Sequence, residues 1–333
     1  MLPGTKTFRD KRYLIFINNY YFSLNLRPII GIIDQPASDS SDCLITQYGD
    51  KYLPAAYVKL VESTGARVAH IPFDAPRDVL EYYFNSVNGL LFPGGDADFT
   101  PKQSVFYEGA YYLFQLALDA NKRGDYFPVI GLCQGMEMLS VMMAGSNCSV
   151  LDYDFDSDNI SLPLIFNENS TSSMLWGSAP EWVVSTISTQ NITFNNHNNG
   201  LPPSKYAATP GLNEVVSVIS TNYDRNGKEF VSSFEGIDYP IWGLQFHPSK
   251  LAYEWNPNEV LNHSPTAIAD MQYVADVLYS QAKFNFHHFP SAQEEQNALI
   301  YNTPPVFTYP VCNGFVQTYF WNYTETSLVK QKK

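Results

Sequence analysis

Cys133 stands between Gly131 and Gly135 in VIGLCQGME, where a β-branched apolar run gives way to a helical apolar pattern. A small-x-nucleophile-x-small turn between strand and helix lifts the central side chain above the sheet edge. The flanking glycines let neighbouring backbone approach without a clash. The following helix N-terminus supplies free N–H groups and the positive end of a dipole, which lower a thiol pKa and can stabilise an oxyanion. A buried structural cysteine between packing glycines would account for the same three residues, so Cys133 needs a partner before it carries chemistry.

The partner chemistry asks for is a base. Of six histidines, His247 ends the apolar run PIWGLQFHP, and Pro248 fixes the chain direction after it. An imidazole at a strand end could take a thiol proton and return it to a leaving amine. His197, in FNNHNNG, reads either as an exposed loop residue or as a cleft residue. His287 and His288 read as solvated tail residues, and no motif surrounds His70 or His263.

These residues need a scaffold. RPIIGII (27–33) reads as a buried parallel strand, KYLPAAYVKLVESTG (51–65) as a helix closed by Gly65, and ARVAHIPF as the next strand. DVLEYYFNSV reads as a helix, GLLFPGG as a strand ending in the Gly94-Gly95 turn, and FYEGAYYLFQLALDANKRG as a long helix. FPVIGL and QGMEMLSVMMAG follow as strand and helix. Such alternation implies a three-layer, doubly wound α/β fold with a mostly parallel sheet. Right-handed crossovers align the strand C-terminal ends along one edge, where ligands bind. From 152 to 210 an Asn-, Ser- and Thr-rich stretch reads as irregular with some β structure. EVVSVIST and EFVSSFEG, joined through Asn226-Gly227, read as an antiparallel hairpin extension. ADMQYVADVLYSQAKF is the last long helix, and the tail from Asn285 reads as wrapping the surface.

The 333-residue chain has net charge −13 and 45% apolar residues. It carries no basic nucleic-acid footprint. Its four cysteines show no C-x-x-C pair, which speaks against zinc and thioredoxin-like sites. One disulfide among Cys43, Cys148 and Cys312 is compatible with the count, with the pairing open. Residues 1–26, with Lys6, Arg9, Lys11 and Arg12 before YLIFINNYYFSL, read as a signal-peptide candidate; they are too short and polar for stable membrane insertion. Asn-x-Ser/Thr triplets begin at Asn147, Asn159, Asn169, Asn191, Asn262 and Asn322 and point the same way, to the secretory pathway. Residues 27–325 read as a single domain and 326–333 as a basic polar tail.

GLCQGME, FPGG and GLQFHPSK, in this order and at these separations, resemble the class I glutamine amidotransferase-like fold. Within it the chain is similar to the gamma-glutamyl hydrolases, or folylpolyglutamate hydrolases, of peptidase family C26. YPIWGLQFHPSKLAYEW, NHSPTAIADMQYVADVLYSQAK and the tail FNFHHFPSAQEEQNALIYNTPPVFT carry the more specific part of the likeness. The resemblance implies a cysteine peptidase acting on poly-gamma-glutamyl folates, with Cys133 forming a gamma-glutamyl thioester and His247 as base and acid. It implies an oxyanion hole from the N–H groups of Gly95 and Gln134, with His197, Gly94 and Glu137 beside the substrate. It implies no metal or organic cofactor, a small-molecule substrate, a homodimer, and a lysosomal, vacuolar or extracellular address.

One position departs from the family. A Glu two residues after the His completes its triad, and here Ser249 stands instead. A serine can accept a hydrogen bond but carries no charge, and a thiolate–imidazolium pair formed in advance would depend less on a third member. Glu137 and Glu254 are the nearby carboxylates. Two other functions stay open on these residues: a non-catalytic member of the fold that binds gamma-glutamyl ligands, and a glutaminase subunit.

Overall fold

The computed structural model describes residues 13–17, 20–41 and 43–323. The basic residues before Tyr13 and the tail 326–333 lie outside the described residues. Two short strands, Tyr13–Ile17 and Tyr20–Leu24, pair antiparallel ahead of the main sheet.

That sheet is built from β1 (Ile29–Ile33), β2 (Arg67–Ile71), β3 (Leu90–Phe92), β4 (Val129–Leu132), β6 (Ile165–Phe166), β8 (Val216–Tyr223), β9 (Glu229–Gly236) and β10 (Ile241–Leu244), with β5 (Ser157–Leu162) and β7 (Thr193–His197) forming a separate antiparallel pair. The spatial order is β6-β8-β9-β10-β4-β3-β1-β2. From β10 to β2 every pairing is parallel; β9, β8 and β6 continue it antiparallel. This is the doubly wound core with its β extension. The β8–β9 hairpin turns at Gly227, which has φ +79°.

Both faces are covered because the strands are apolar on both. In β1, Ile29 and Ile33 enter one core and Ile30 and Ile32 the other, the period of two that a pleated strand imposes. On the first face lie α2 (Arg77–Phe84), α3 (Val105–Lys122) and α4 (Gln134–Met143); on the second lie α1 (Ala55–Ser63), α5 (Glu181–Thr189) and α7 (Pro265–Ser280), with the short α6 (Pro203–Ala207) between the last two in sequence. Ser104 caps α3 by accepting the Tyr107 N–H, and Ser264 caps α7 with Pro265 in its first turn.

Three expectations need correction. Residues 51–54 do not begin α1: Lys51–Pro54 is a strand pairing with Gln317–Trp321, because Pro54 can precede a helix but holds the residue before it extended. The 152–210 stretch contains α5, whose β-branched sequence gives it little intrinsic helicity. Packing of Val183 and Ile187, and the Thr186 hydroxyl donating to Asp270 of α7 at 2.6 Å, hold it. The tail is anchored rather than merely draped. Asn285 is buried against Asn88, and His287 bonds Asp125 (2.8 Å) and the Phe84 carbonyl (2.9 Å); of the two tail histidines only His288 is exposed.

The tail is also tied covalently, since Cys43 is bonded to Cys312 across 269 residues of sequence. Closing so long a loop constrains the unfolded chain most. Reduction, or Cys43→Ala with Cys312→Ala, is expected to lower unfolding free energy by about 5 to 6 kcal/mol in chain-entropy terms. Urea titrations with and without reductant measure it; coincident midpoints would show that the bridge contributes nothing.

Candidate active site

β4 ends at Leu132, and the next residue must turn the chain into α4 at once. Cys133 does so with φ +50° and ψ −113°, a strained conformation for a residue with a Cβ. The glycines permit it. A Cβ on Gly135 would lie 1.9 Å from the Phe92 carbonyl oxygen of β3, and one on Gly131 would lie 2.6 Å from the Gly135 backbone. The Cys133 N–H donates to the Leu244 carbonyl at 2.7 Å, locking the elbow to the end of β10.

β10 stops at Leu244, so His247 lies three residues beyond the strand, on a turn held by its N–H donating to the Phe194 carbonyl of β7 at 2.8 Å. Gly94 brings the pair together. A Cβ there would sit 3.0 Å from the Cys133 Cβ and 3.1 Å from the His247 Cε1. Thiol and imidazole therefore flank one glycine, at the bottom of a cleft of about 850 Å³. Gly95 is equally confined, since a Cβ would lie 1.8 Å from Gln35 Oε1. Gln35 donates to the Gly94 carbonyl at 3.1 Å and accepts from the Tyr52 hydroxyl at 3.0 Å, which holds the Gly94-Gly95 turn in place.

His197 ends β7 and lines the same cleft, its ring edge-on to Phe230. Its Nδ1 pairs with the Asn199 carbonyl at 2.6 Å, while Nε2 is buried without a partner. Glu137, one turn into α4, accepts from Gln245 Nε2 at 2.9 Å; the same Nε2 lies 3.9 Å from the Cys133 sulfur.

Ser249 makes no hydrogen bond to the imidazole. Its hydroxyl is buried and has no hydrogen-bond partner. The His247 Nδ1 is instead paired, at 3.3 Å, with the hydroxyl of Tyr57 from α1. Glu254 does not reach the imidazole either: its carboxyl accepts the Val316 N–H at 2.6 Å and pins the tail. Tyr57 was invisible in the sequence because it falls on the buried stripe of α1 like any core residue. Gln245 does lie within GLQFHP, where its amide gave no chemical cue.

Cys133, His247 and Glu137 are buried, and burial sets the direction of their pKa shifts. It pushes the Cys133 thiol up, helped by the Glu137 carboxyl beside it; the Gln134 N–H opposes this and is outweighed. Burial, then Lys250 and then His197 push His247 well down. Both shifts favour the uncharged forms, so burial opposes the ion pair that a helix N-terminus would favour. Burial also takes His197 down to about 4. Among the described residues no group of three or more His, Cys, Asp or Glu side chains could hold a metal, and no helix is long and apolar enough to cross a membrane.

A buried cysteine on a strand–turn–helix elbow, beside a histidine just past the neighbouring parallel strand, places a nucleophile and a base together at the edge of a doubly wound α/β sheet. The comparisons narrow it further. The family model described as Peptidase C26 matches residues 28–249. Gamma-glutamyl hydrolase of Rattus norvegicus is 37% identical over 297 residues, covering 89% of this chain and 90% of the relative. Gamma-glutamyl hydrolase B of Dictyostelium discoideum is 36% identical over 300 residues (89% and 84%), and gamma-glutamyl hydrolase 1 of Arabidopsis thaliana 32% over 299 residues (90% and 84%). The chain belongs to the peptidase C26 family.

Glu137 offers a test of this burial. Burial raises its carboxyl to about 7, above the unfolded value of about 4.3. Between these values the folded chain keeps a proton that the unfolded chain has released. The stabilisation is therefore full below about pH 4 and is lost as pH rises through 7. Glu137→Gln removes this titration, so its stability relative to wild type should improve by about 3 kcal/mol between pH 4.5 and pH 8. Urea titrations at both pH values read the change; a constant difference would mean that Glu137 is ionised throughout.

Proposed function

We propose that the protein is a cysteine hydrolase that cleaves gamma-glutamyl amide bonds of poly-gamma-glutamyl folates, with Cys133 as nucleophile and His247 as general base and acid. The observation that carries this reading is the convergence of Cys133 and His247 on the side-chain-free face of Gly94. The relatives' names supply the bond type.

The chemistry follows from the charge states. Tyr57 holds His247 through Nδ1 and leaves Nε2 unpartnered as the basic nitrogen. In an imidazole whose Nδ1–H donates to the phenol oxygen, Nε2 takes the thiol proton as the sulfur attacks the gamma-carbonyl carbon. The resting pair is neutral, so charge separates only as the bond forms. The carbonyl oxygen becomes an oxyanion, to which the Gly95 and Gln134 N–H groups donate. The imidazolium returns its proton to the amine nitrogen, the C–N bond breaks, and a thioester remains. His247 then deprotonates a water that attacks the thioester and releases Cys133 and the shortened acid. His197, kept neutral by burial, offers its unpartnered Nε2 to the substrate.

Tyr57 takes the orienting place in this scheme. A phenol stabilises an imidazolium less than a carboxylate does, but it fixes the ring. Losing one uncharged hydrogen bond costs about 1 kcal/mol, so Tyr57→Phe should lower kcat by roughly 5-fold with little change in KM. Steady-state kinetics check this, and an unchanged kcat would remove Tyr57 from the scheme.

The sequons, the Cys43–Cys312 disulfide and the basic residues before Tyr13 support a secretory address, lysosomal, vacuolar or extracellular. The test of function incubates the protein and its Cys133→Ala variant with a pteroyl-polyglutamate at pH 5 and pH 7, with products read by mass spectrometry. Shortened folates from the wild type alone are expected. Intact substrate with both folded proteins would instead favour the non-catalytic binder to which the unpartnered Ser249 points.

A further inference from the structure

The cleft is short of positive charge. Asp96, Asp98, Glu137, Asp158 and Glu259 line it, and Lys250 is the sole lysine or arginine among its lining residues. A gamma-glutamyl chain is itself a polyanion, with a free α-carboxylate on each residue.

Lys250 is unusually placed for a lysine. Its side chain is 6% exposed and its Glu259 partner 9%. The ammonium donates to Glu259 and, at 3.3 Å, to the Gly314 carbonyl. It lies 5.2 Å from the ring centre of Phe194 and 6.0 Å from that of Phe315. Taking both charges out of water is costly, and well-packed apolar side chains would serve stability as well or better. The pair therefore calls for a use other than stability.

Its surroundings supply one. The Lys250 N–H donates to the His247 carbonyl at 3.3 Å, and the His247 N–H donates to the Phe194 carbonyl. The Phe194 ring packs 6.1 Å from the imidazole and also lies beneath the ammonium. Lysine and histidine thus share one rigid support, so the ammonium is held at a set place relative to the reacting atoms. An ammonium has three N–H groups, and Glu259 and Gly314 take two. In a gamma-glutamyl residue the α-carboxylate lies at the far end of the short side chain whose carbonyl is attacked.

We propose that Lys250 is a specificity residue: it accepts the α-carboxylate of the glutamyl residue being acylated and so draws the gamma-carbonyl over Cys133. This deepens the gamma-glutamyl reading above and rests on it. Glu259 competes for the same ammonium, keeping it extended and moderating its hold on the ligand.

The experiment compares pteroyl-di-gamma-glutamate with its analogue carrying a carboxamide in place of the α-carboxylate on the acyl-side glutamate. The wild type should prefer the acid by about 30-fold in kcat/KM, the scale of a hydrogen bond to a charged group. In Lys250→Met the preference should fall to within about 3-fold, mainly through KM, and Lys250→Arg should keep part of it. Glu259→Gln removes the competitor, so KM for the acid should fall while KM for the carboxamide stays put. Circular dichroism confirms that each variant is folded; if Lys250→Met is not, the Glu259→Gln result decides. The inference is overturned if the wild type shows no preference, if folded Lys250→Met keeps it in full, or if Glu259→Gln raises KM for the acid. Should the wild type cleave neither compound, the hydrolase reading fails separately. Calorimetric titration of the same two ligands then tests Lys250 alone: equal affinity for acid and carboxamide would overturn it, and tighter binding of the acid would uphold it.

Discussion

Gly135 lies so close to β3 that a Cβ would collide with the Phe92 carbonyl, and most of the site follows from that contact. It allows α4 to start immediately at the end of β4, which forces Cys133 into its positive-φ conformation. The sulfur is thereby raised to the sheet edge where β10 also ends. The Leu244 carbonyl takes the Cys133 N–H, so the elbow and the histidine turn are set by the same parallel pairing. Strain of this kind persists only when the surroundings over-determine it. Here two packed apolar layers, one on each face of the sheet, do so.

Burial then governs the electrostatics. In water a thiol and an imidazole sit close enough in pKa to exchange a proton easily. In this cleft desolvation drives them apart, raising Cys133 and lowering His247. The same desolvation holds Glu137 at about 7, against the sulfur. A site that is neutral at rest avoids a standing pair of buried charges. It also makes the orienting group less demanding. The group paired with the imidazole is the Tyr57 phenol, and Ser249, buried and unpartnered, takes no part in the histidine's hydrogen bonding.

One wall of the cleft is assembled from distant sequence. Cys312, Asn313, Gly314 and Phe315 reach it from the tail, held by the bridge to Cys43, by Glu254 accepting the Val316 N–H, and by Asn256 donating to the Asn313 carbonyl. The segment after His247 therefore lines the cleft and anchors the tail together, which gives the LAYEW stretch its structural meaning.

The elbow, the order of strands and helices, and the Cys133–His247 pairing were legible in the sequence because each depends on local rules: glycine spacing, apolar periodicity and strand-end positions. The Asn226-Gly227 turn and the Gly65 helix end were legible for the same reason. Long-range packing decided the rest. It chose Cys43–Cys312, made a strand of Lys51–Pro54 by offering it Gln317–Trp321, and stabilised α5 despite its β-branched residues. It also gave the imidazole Tyr57 instead of Ser249, since a hydroxyl's partner is set by where α1 lies against the sheet. A local pattern encodes what neighbours in the chain can do; hydrogen-bond partners and charge states depend on groups that only the folded sheet brings together and dries.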